Sequence, residues 1–428
     1  MLKSGFAHAD ISPPLTGKPS GSYMPRVMTG VHDPLLAVAC VIDDGVTPLA
    51  LVGIDAGVIV REHADLARQL IEQQTGIPRG NVIISASHTH QGGPVVSVFR
   101  TEANPDYGIK VAHGVADAVA RAWKHRSDAE IGSGFGKVTG IHFNRRFLMR
   151  DGREVTHPGK MHADIVRPAG PVDERVGVLA LRDRAQKITG VVVNFGCHCT
   201  VTEDGHEYSA DYVYYLREHL KRLLGPIEVV FLLGACGDVT QIDNQSRTVE
   251  KGHPHADMMG TTIAAEAARV IQRIKWHDSA ACGVANHATP IAIRDRDYSD
   301  PPTRGLGSGD YWDPVYARET NLVTEMRSQS PTRDVQITAM KIADLALVAN
   351  GAELFAQPAL GIQQASPHPQ TWVITLANEY VGYVPTASAH YAGGYEPRLA
   401  RSSFLAPDAA QKIVETSLRA LRELAKAP

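Results

Sequence analysis

The amino-acid sequence predicts an α/β protein whose mixed β-sheets are covered by helices. Three observations carry that prediction. Short apolar runs recur along the chain, amphipathic stretches at helical spacing separate them, and most of the runs end in polar, glycine-containing sequence. In order, "LAVACVIDDG" and "PLALVGIDAG" read as two strands around a turn at Asp43–Thr47. "REHADLARQLIEQQTG" has helical spacing and stops at Gly76. "NVIISASHTH" is a strand running into His88 and His90, and "YGIKVAHGVADAVARAWKHR" is a second helix. "ITGVVVNFGCHCTV", "IEVVFLLGACGDVT" and "TWVITLANEYVGY" are strands with polar ends. "ADMMGTTIAAEAARVIQRI" and "APDAAQKIVETSLRALRELAKA" are helices, the latter packing Ile413, Leu418, Leu421 and Leu424 into the core.

Residues 294–328 hold three prolines and three glycines and read as a long loop or lid, with a domain linker as the alternative. The core pattern resumes after them, so one domain spanning 1–428 is expected. With 43% hydrophobic and 21% charged residues and a net charge of −3, the chain has no electrostatic reason to bind nucleic acid or an anionic membrane. A small-molecule substrate is the expected partner. No apolar run approaches the roughly 20 residues of a membrane span, so no stable membrane insertion is expected. "MLKSGFAHADISPP" contains no apolar targeting segment. The five cysteines lack a framework spacing and read as free, buried thiols of a cytoplasmic protein.

The chemistry concentrates at strand ends. Chance gives about one His-x-His pair at this histidine content, and the chain has two, so His88 and His90 need support from their surroundings. On a strand, residues i and i+2 share a face about 6–7 Å apart, which lets both enter one cavity as metal ligand and substrate contact. His198 in "GCHCT" sets Cys197 and Cys199 on the opposite face, against a His–Cys zinc site. Taken singly, each of these histidines also reads as a satisfied core residue. His253 and His255 read as a solvated helix-entry loop, and Asp204, His206 and Glu207 as a surface turn that could instead line the site. Asp238 reads as a cap or an orienting group for the nearby loop.

The segments "FAHADISPP", "VHDPLLAVACVIDDG", "ASHTHQGGP", "FNRR", "VNFGCHCT…YSADYVYYL", "GACGDVTQ", "GAELF" and "NEYVGYVPT…YAGGYEP" occur in an order specific to one family. Through them the chain resembles the catalytic domain of the neutral, non-lysosomal ceramidases and their shorter bacterial relatives. The resemblance implies a neutral-ceramidase-like α/β domain with one zinc per chain, held by His88, His198, Glu353 and Tyr383. Apart from the resemblance, Glu379 lies close to Tyr383 in the sequence and competes with Glu353 as a candidate carboxylate ligand. The resemblance makes His90 the residue that orients the substrate or stabilises its transition state; the need of a leaving amine for a proton also makes His90 the candidate acid. Arg145 becomes a contact to the polar end of the substrate, and Asp10 and Tyr395 become pocket residues. Thr240 stands where the family has a serine and Ala7 where it has a glycine; the C-terminal immunoglobulin-like domain of the full ceramidases is expected to be absent. The resulting expectation is a zinc-dependent hydrolase that cleaves an amide (N-acyl) bond with metal-activated water. The alternatives are an esterase or lactonase acting on a small polar, sugar-derived acid, and a non-catalytic metal-dependent binding module.

Overall fold

Three sheets share one plan in the computed structural model, which describes residues 2–15, 19–20, 25–299 and 309–426. The first runs Val82–Ala86, Leu49–Ile54, Leu36–Asp43, Lys3–Asp10, Ser127–Asp128. The second runs Glu228–Leu233, Ile188–Phe195, Arg175–Arg182, Glu130–Lys137, and the third Cys282–Ala292, Thr332–Ile342, Leu345–Asn350, Gln370–Ile374. Each sheet is antiparallel except for one parallel pair: Leu49–Ile54 with Val82–Ala86, Ile188–Phe195 with Glu228–Leu233, and Leu345–Asn350 with Gln370–Ile374. A parallel pair needs a crossover. The helices Arg61–Thr75, Tyr212–Leu224 and Ala356–Ala365 supply the three.

Alternation sorts each strand into two cores. Along Leu36–Asp43, Ala37, Ala39 and Val41 face the helices, while Val38, Cys40 and Ile42 join an inner core. Leu179, Val192, Leu232, Leu347 and Trp372 of the other two sheets meet them there. With both faces buried, the strands read as unbroken apolar runs rather than as alternating ones. All five cysteines are free thiols. Among the described residues, no helix is long and apolar enough to cross a membrane.

Helix Arg61–Thr75 ends on Gly76 at φ 77°, whose N–H reaches Glu72 O, the left-handed cap that glycine favours. Helix Pro105–Lys124 starts ahead of its apolar repeat because Asn104 accepts from the Asp106 and Tyr107 amides. Two expectations change. Most of the described part of 294–328 is not loop: Asp313–Gln329 is a helix, with Pro314 in its first turn and Val315, Tyr316, Glu319 and Val323 buried on one side. Residues 300–308 of that segment lie outside the described residues. His253, expected in an entry loop, is the first residue of helix His253–Ile271.

The polar loops leave these sheets at related places. His88 follows Ala86, His198 follows Phe195, Glu353 follows Asn350, and Tyr383 lies beyond Ile374; all four strands are members of parallel pairs. Such carboxyl ends are where α/β sheets gather ligands. Backbone bridges Thr89↔Cys199 and Glu353↔Tyr383 then join the loops in twos.

Candidate metal centre

Strand alternation does not create the histidine pair. The strand ends at Ala86, and His88 adopts φ 66°, held by Ser87 N–H to Ile54 O and His88 N–H to Ala56 O. A left-handed backbone costs a non-glycine residue about 1 kcal/mol or more, a strain that clusters at functional sites. The turn sets the His88 and His90 rings 5.0 Å apart and perpendicular, with the His198 ring 4.7 Å from His88.

Both outer histidines have their tautomer fixed from behind. His88 Nδ1 donates to Gly57 O (2.6 Å) and His198 Nδ1 to Val239 O (3.1 Å), so each Nε2 turns its lone pair to the centre. There, His88 Nε2 lies 3.2 Å from Glu353 Oε2, and His198 Nε2 lies 3.5 Å from the same oxygen and 3.4 Å from Tyr383 Oη. Ligands about 2.0–2.2 Å from a tetrahedral zinc stand roughly 3.3–3.6 Å from one another, so these edges are close to the size of a zinc polyhedron. His88 Nε2 and Glu353 Oε2 are also buried without a hydrogen-bond partner. Orphaned buried polar atoms cost about 1–3 kcal/mol each, a cost that a cation between them removes. His88, His90 and His198 form a second, looser set whose ligand atoms lie within 4.8 Å of one another. The shorter edges join His88, His198, Glu353 and Tyr383.

Electrostatics tune the same atoms. Burial, aided by the Arg145 charge, lowers the His198 pKa to about 3, so its ring is a neutral donor. Burial pushes the Glu353 carboxyl up, but His88 and His198 outweigh it and hold the group ionised. Burial and then Glu353 raise the Tyr383 phenol, and Arg145 opposes them. Burial lowers His90 against the pull of Glu203, whose Oε2 lies 3.0 Å from His90 Nδ1.

Behind these four side chains stands a buried charge network. Arg145 donates to Glu396 Oε1 (2.8 Å), Gly237 O (2.9 Å) and Tyr383 Oη (3.1 Å). Arg146 and Thr156 both donate to Glu396 Oε2 at 2.7 Å. Tyr380 Oη donates to Glu353 Oε1 (3.0 Å) and so directs Oε2 at the histidines. Asp238 accepts from Asn144 Nδ2 and from the amide of Ala356, the first residue of helix Ala356–Ala365, which fixes the segment carrying Glu353. Gly237 is required beside it: a Cβ there would lie 2.3 Å from Glu353 O.

The pocket in front, about 60 Å³, is lined by His88, His90, Glu353, Tyr380, Tyr383 and Tyr395, with Val58, Val96, Val98 and Phe99 as its apolar wall. The structure thus assembles His88, His90, His198, Glu353, Tyr383 and Tyr395, and Arg145 stands beside them, with Nη2 3.1 Å from Tyr383 Oη and Nη1 3.4 Å from His198 Nε2. It does not bring Asp10 or Thr240 to that wall. Asp10 is exposed at the end of its strand and caps the Ser12 amide. Thr240 is buried with its hydroxyl donating to Gln241 Oε1. Glu379 is turned away onto Arg61, Arg333 and the Gln336 amide, so it does not compete with Glu353. In the 203–207 turn, Asp204 pairs with Lys251 and His206 with Val27 O at the surface, and it is Glu203 that reaches the site. Sequence reasoning missed Glu203, Tyr380 and Glu396 as site residues. The doubled tyrosine of "NEYVGY" was the one available signal; Glu203 and Glu396 are placed by contacts over 113 and 251 residues.

No family model matches the chain, and no curated protein does. Solved structures do. A ceramidase complexed with C2 superposes with a TM-score of 0.77 at 17% identity, over 99% of this chain and 75% of that one. The neutral ceramidase from Pseudomonas aeruginosa gives 0.76 at 16% identity, over 99% and 74%. The protein therefore has the mixed α/β fold of the neutral ceramidases along nearly its whole length.

Proposed function

We propose that the protein is a zinc-dependent hydrolase that cleaves an N-acyl amide bond, in one catalytic domain spanning 1–428. The observation that carries this reading is the set of 3.2–3.5 Å edges joining His88, His198, Glu353 and Tyr383. Zinc held there supplies Lewis acidity toward a carbonyl and acidifies water toward a pKa of about 7. The rest is done by the chain. His88, His198, Glu353 and Tyr383 are the ligands, and Arg145 steadies the Tyr383 oxygen with a charge that favours its ionised form. His90, lining the pocket and oriented by Glu203, delivers the proton that the departing amine nitrogen needs. The commitment of the Thr240 hydroxyl to Gln241 supports attack by water over a covalent route. The apolar wall supports an acyl group rather than the polar acid of a sugar-derived lactone. An inner core drawn from all three sheets supports a single domain, and the free thiols support a reducing, cytoplasmic setting.

The test is metal analysis of the purified protein followed by assay against N-acyl amides and lactones. About one zinc per chain with amide turnover is expected. Lactone turnover alone would replace the amide assignment, and activity retained by a zinc-free His88→Ala protein would end the zinc-dependent mechanism.

A further inference from the structure

The apolar wall of the pocket includes Phe99, a residue in an unusual conformation. Phe99 sits at φ 51° in the turn Val98–Thr101, which is fastened by Val98 N–H to Thr101 O (3.2 Å) and Thr101 N–H to Val98 O (3.0 Å). The Thr101 hydroxyl adds a third bond to Val98 O at 2.9 Å. Positive φ at a turn tip is the place of glycine or asparagine, and a bulky aromatic there is strained. Phe99 is nonetheless only 2% exposed. Its ring meets Trp312 (5.7 Å) and Tyr316 (5.5 Å) edge-on, and its carbonyl accepts from Arg318. Helix Asp313–Gln329 therefore acts as a buttress to the ring, with Val315 and Tyr316 in the same cluster as Phe99, Tyr383 and Tyr395. A strained residue retained and braced from behind is a wall that does not swing aside.

We infer that Phe99 is the specificity-determining end of the acyl subsite, limiting substrates to N-acyl amides with short acyl chains; this rests on the hydrolase reading above. The volume sets the limit. The whole space in front of the candidate metal site is about 60 Å³, room for only a few non-hydrogen atoms between that site and Phe99. Val58, Val96 and Val98 flank that space with apolar surface and present no charge to a chain lying in it. The carbonyl end would lie against His88, Glu353 and Tyr383, and the amine side would leave past His90.

The experiment compares acetyl, butanoyl, octanoyl and dodecanoyl amides of one amine with the zinc-loaded protein, its Phe99→Ala variant and the milder Phe99→Leu. The wild type is expected to lose kcat/KM by about tenfold or more from butanoyl to octanoyl. Phe99→Ala should raise the octanoyl-to-acetyl ratio by about tenfold, with Phe99→Leu between. Dodecanoyl turnover by the wild type as fast as acetyl, or an unchanged chain-length profile in whichever variant folds, would overturn the inference. Calorimetric binding of the free acids decides it without turnover: butanoate binding tighter than dodecanoate supports the short subsite, and the reverse order overturns it. Absence of amide turnover alongside the butanoate preference would count against the hydrolase reading alone.

Discussion

His88-Thr89-His90 and His253-Pro254-His255 share one spacing and live in opposite surroundings. The first pair leaves the end of a parallel strand, is turned inward by a left-handed backbone, and meets a buried carboxylate at 3.2 Å. Each of its Nδ1 atoms has a fixed partner, Gly57 O for His88 and Glu203 for His90. The second pair opens a helix. His253 stacks on His32 with ring centres 3.7 Å apart, beside Tyr215, and burial lowers the pKa of both His253 and His255. Among the described residues, the cluster of three histidines whose ligand atoms lie within 4.8 Å of one another, His88, His90 and His198, includes neither member of the second pair. Spacing alone therefore says little about metal binding. What separates the pairs is the supply of a converging carboxylate and of backbone acceptors that set the tautomers.

The sharpest way to break this comparison is to delete one member of each pair. His88→Ala should lose zinc and lower activity by more than about a thousandfold, while His253→Ala keeps both; metal analysis with an amide assay reads the contrast. Next in size, His90→Ala should retain zinc yet lose about 10²–10⁴ in kcat, the range of a missing acid–base group. Glu203→Gln should retain zinc and lose about tenfold or more, as an orienting partner does. Equal losses in His90→Ala and His255→Ala would dissolve the distinction.

Behind the first pair, Glu396 joins Arg145 and Arg146. Burial pushes its carboxyl up, but the two guanidiniums outweigh that and hold its pKa at about 2, against 4.5 for the ordinary side chain. A depressed folded-state pKa stabilises the fold above the unfolded value, by about 3 kcal/mol here, and that contribution is lost as pH falls from 4.5 toward 2. Glu396→Gln should flatten this acid limb in denaturation curves and cost about 3–5 kcal/mol at neutral pH, because two buried cations lose their counter-charge. The smallest effect belongs to the second pair: His253→Ala should change stability by about 1 kcal/mol or less, as measured by urea unfolding.

Much of the fold could be read from the chain because strands buried on both faces announce themselves as apolar runs, and because Gly76 stops its helix by a local conformational preference. Helix Asp313–Gln329 was hidden by its setting: prolines and glycines precede it, and its buried face includes Glu319, which pairs with Arg401 rather than reading as apolar. Of the centre, His88, His198 and Tyr383 stood out as polar residues at apolar strand ends, whereas Glu353 was reached only through the family resemblance. Glu203 and Glu396 act through contacts that no local pattern encodes. Thr240 shows the converse: a residue in the expected place along the chain whose hydroxyl is turned to a neighbouring glutamine.

The most direct test of the central claim is zinc stoichiometry in the wild type, His88→Ala and His253→Ala after identical exposure to zinc and removal of excess. The account predicts about one zinc per chain in the wild type and in His253→Ala, and essentially none in His88→Ala. A wild-type protein that retains no zinc, or a His88→Ala protein that retains a full equivalent, would contradict it.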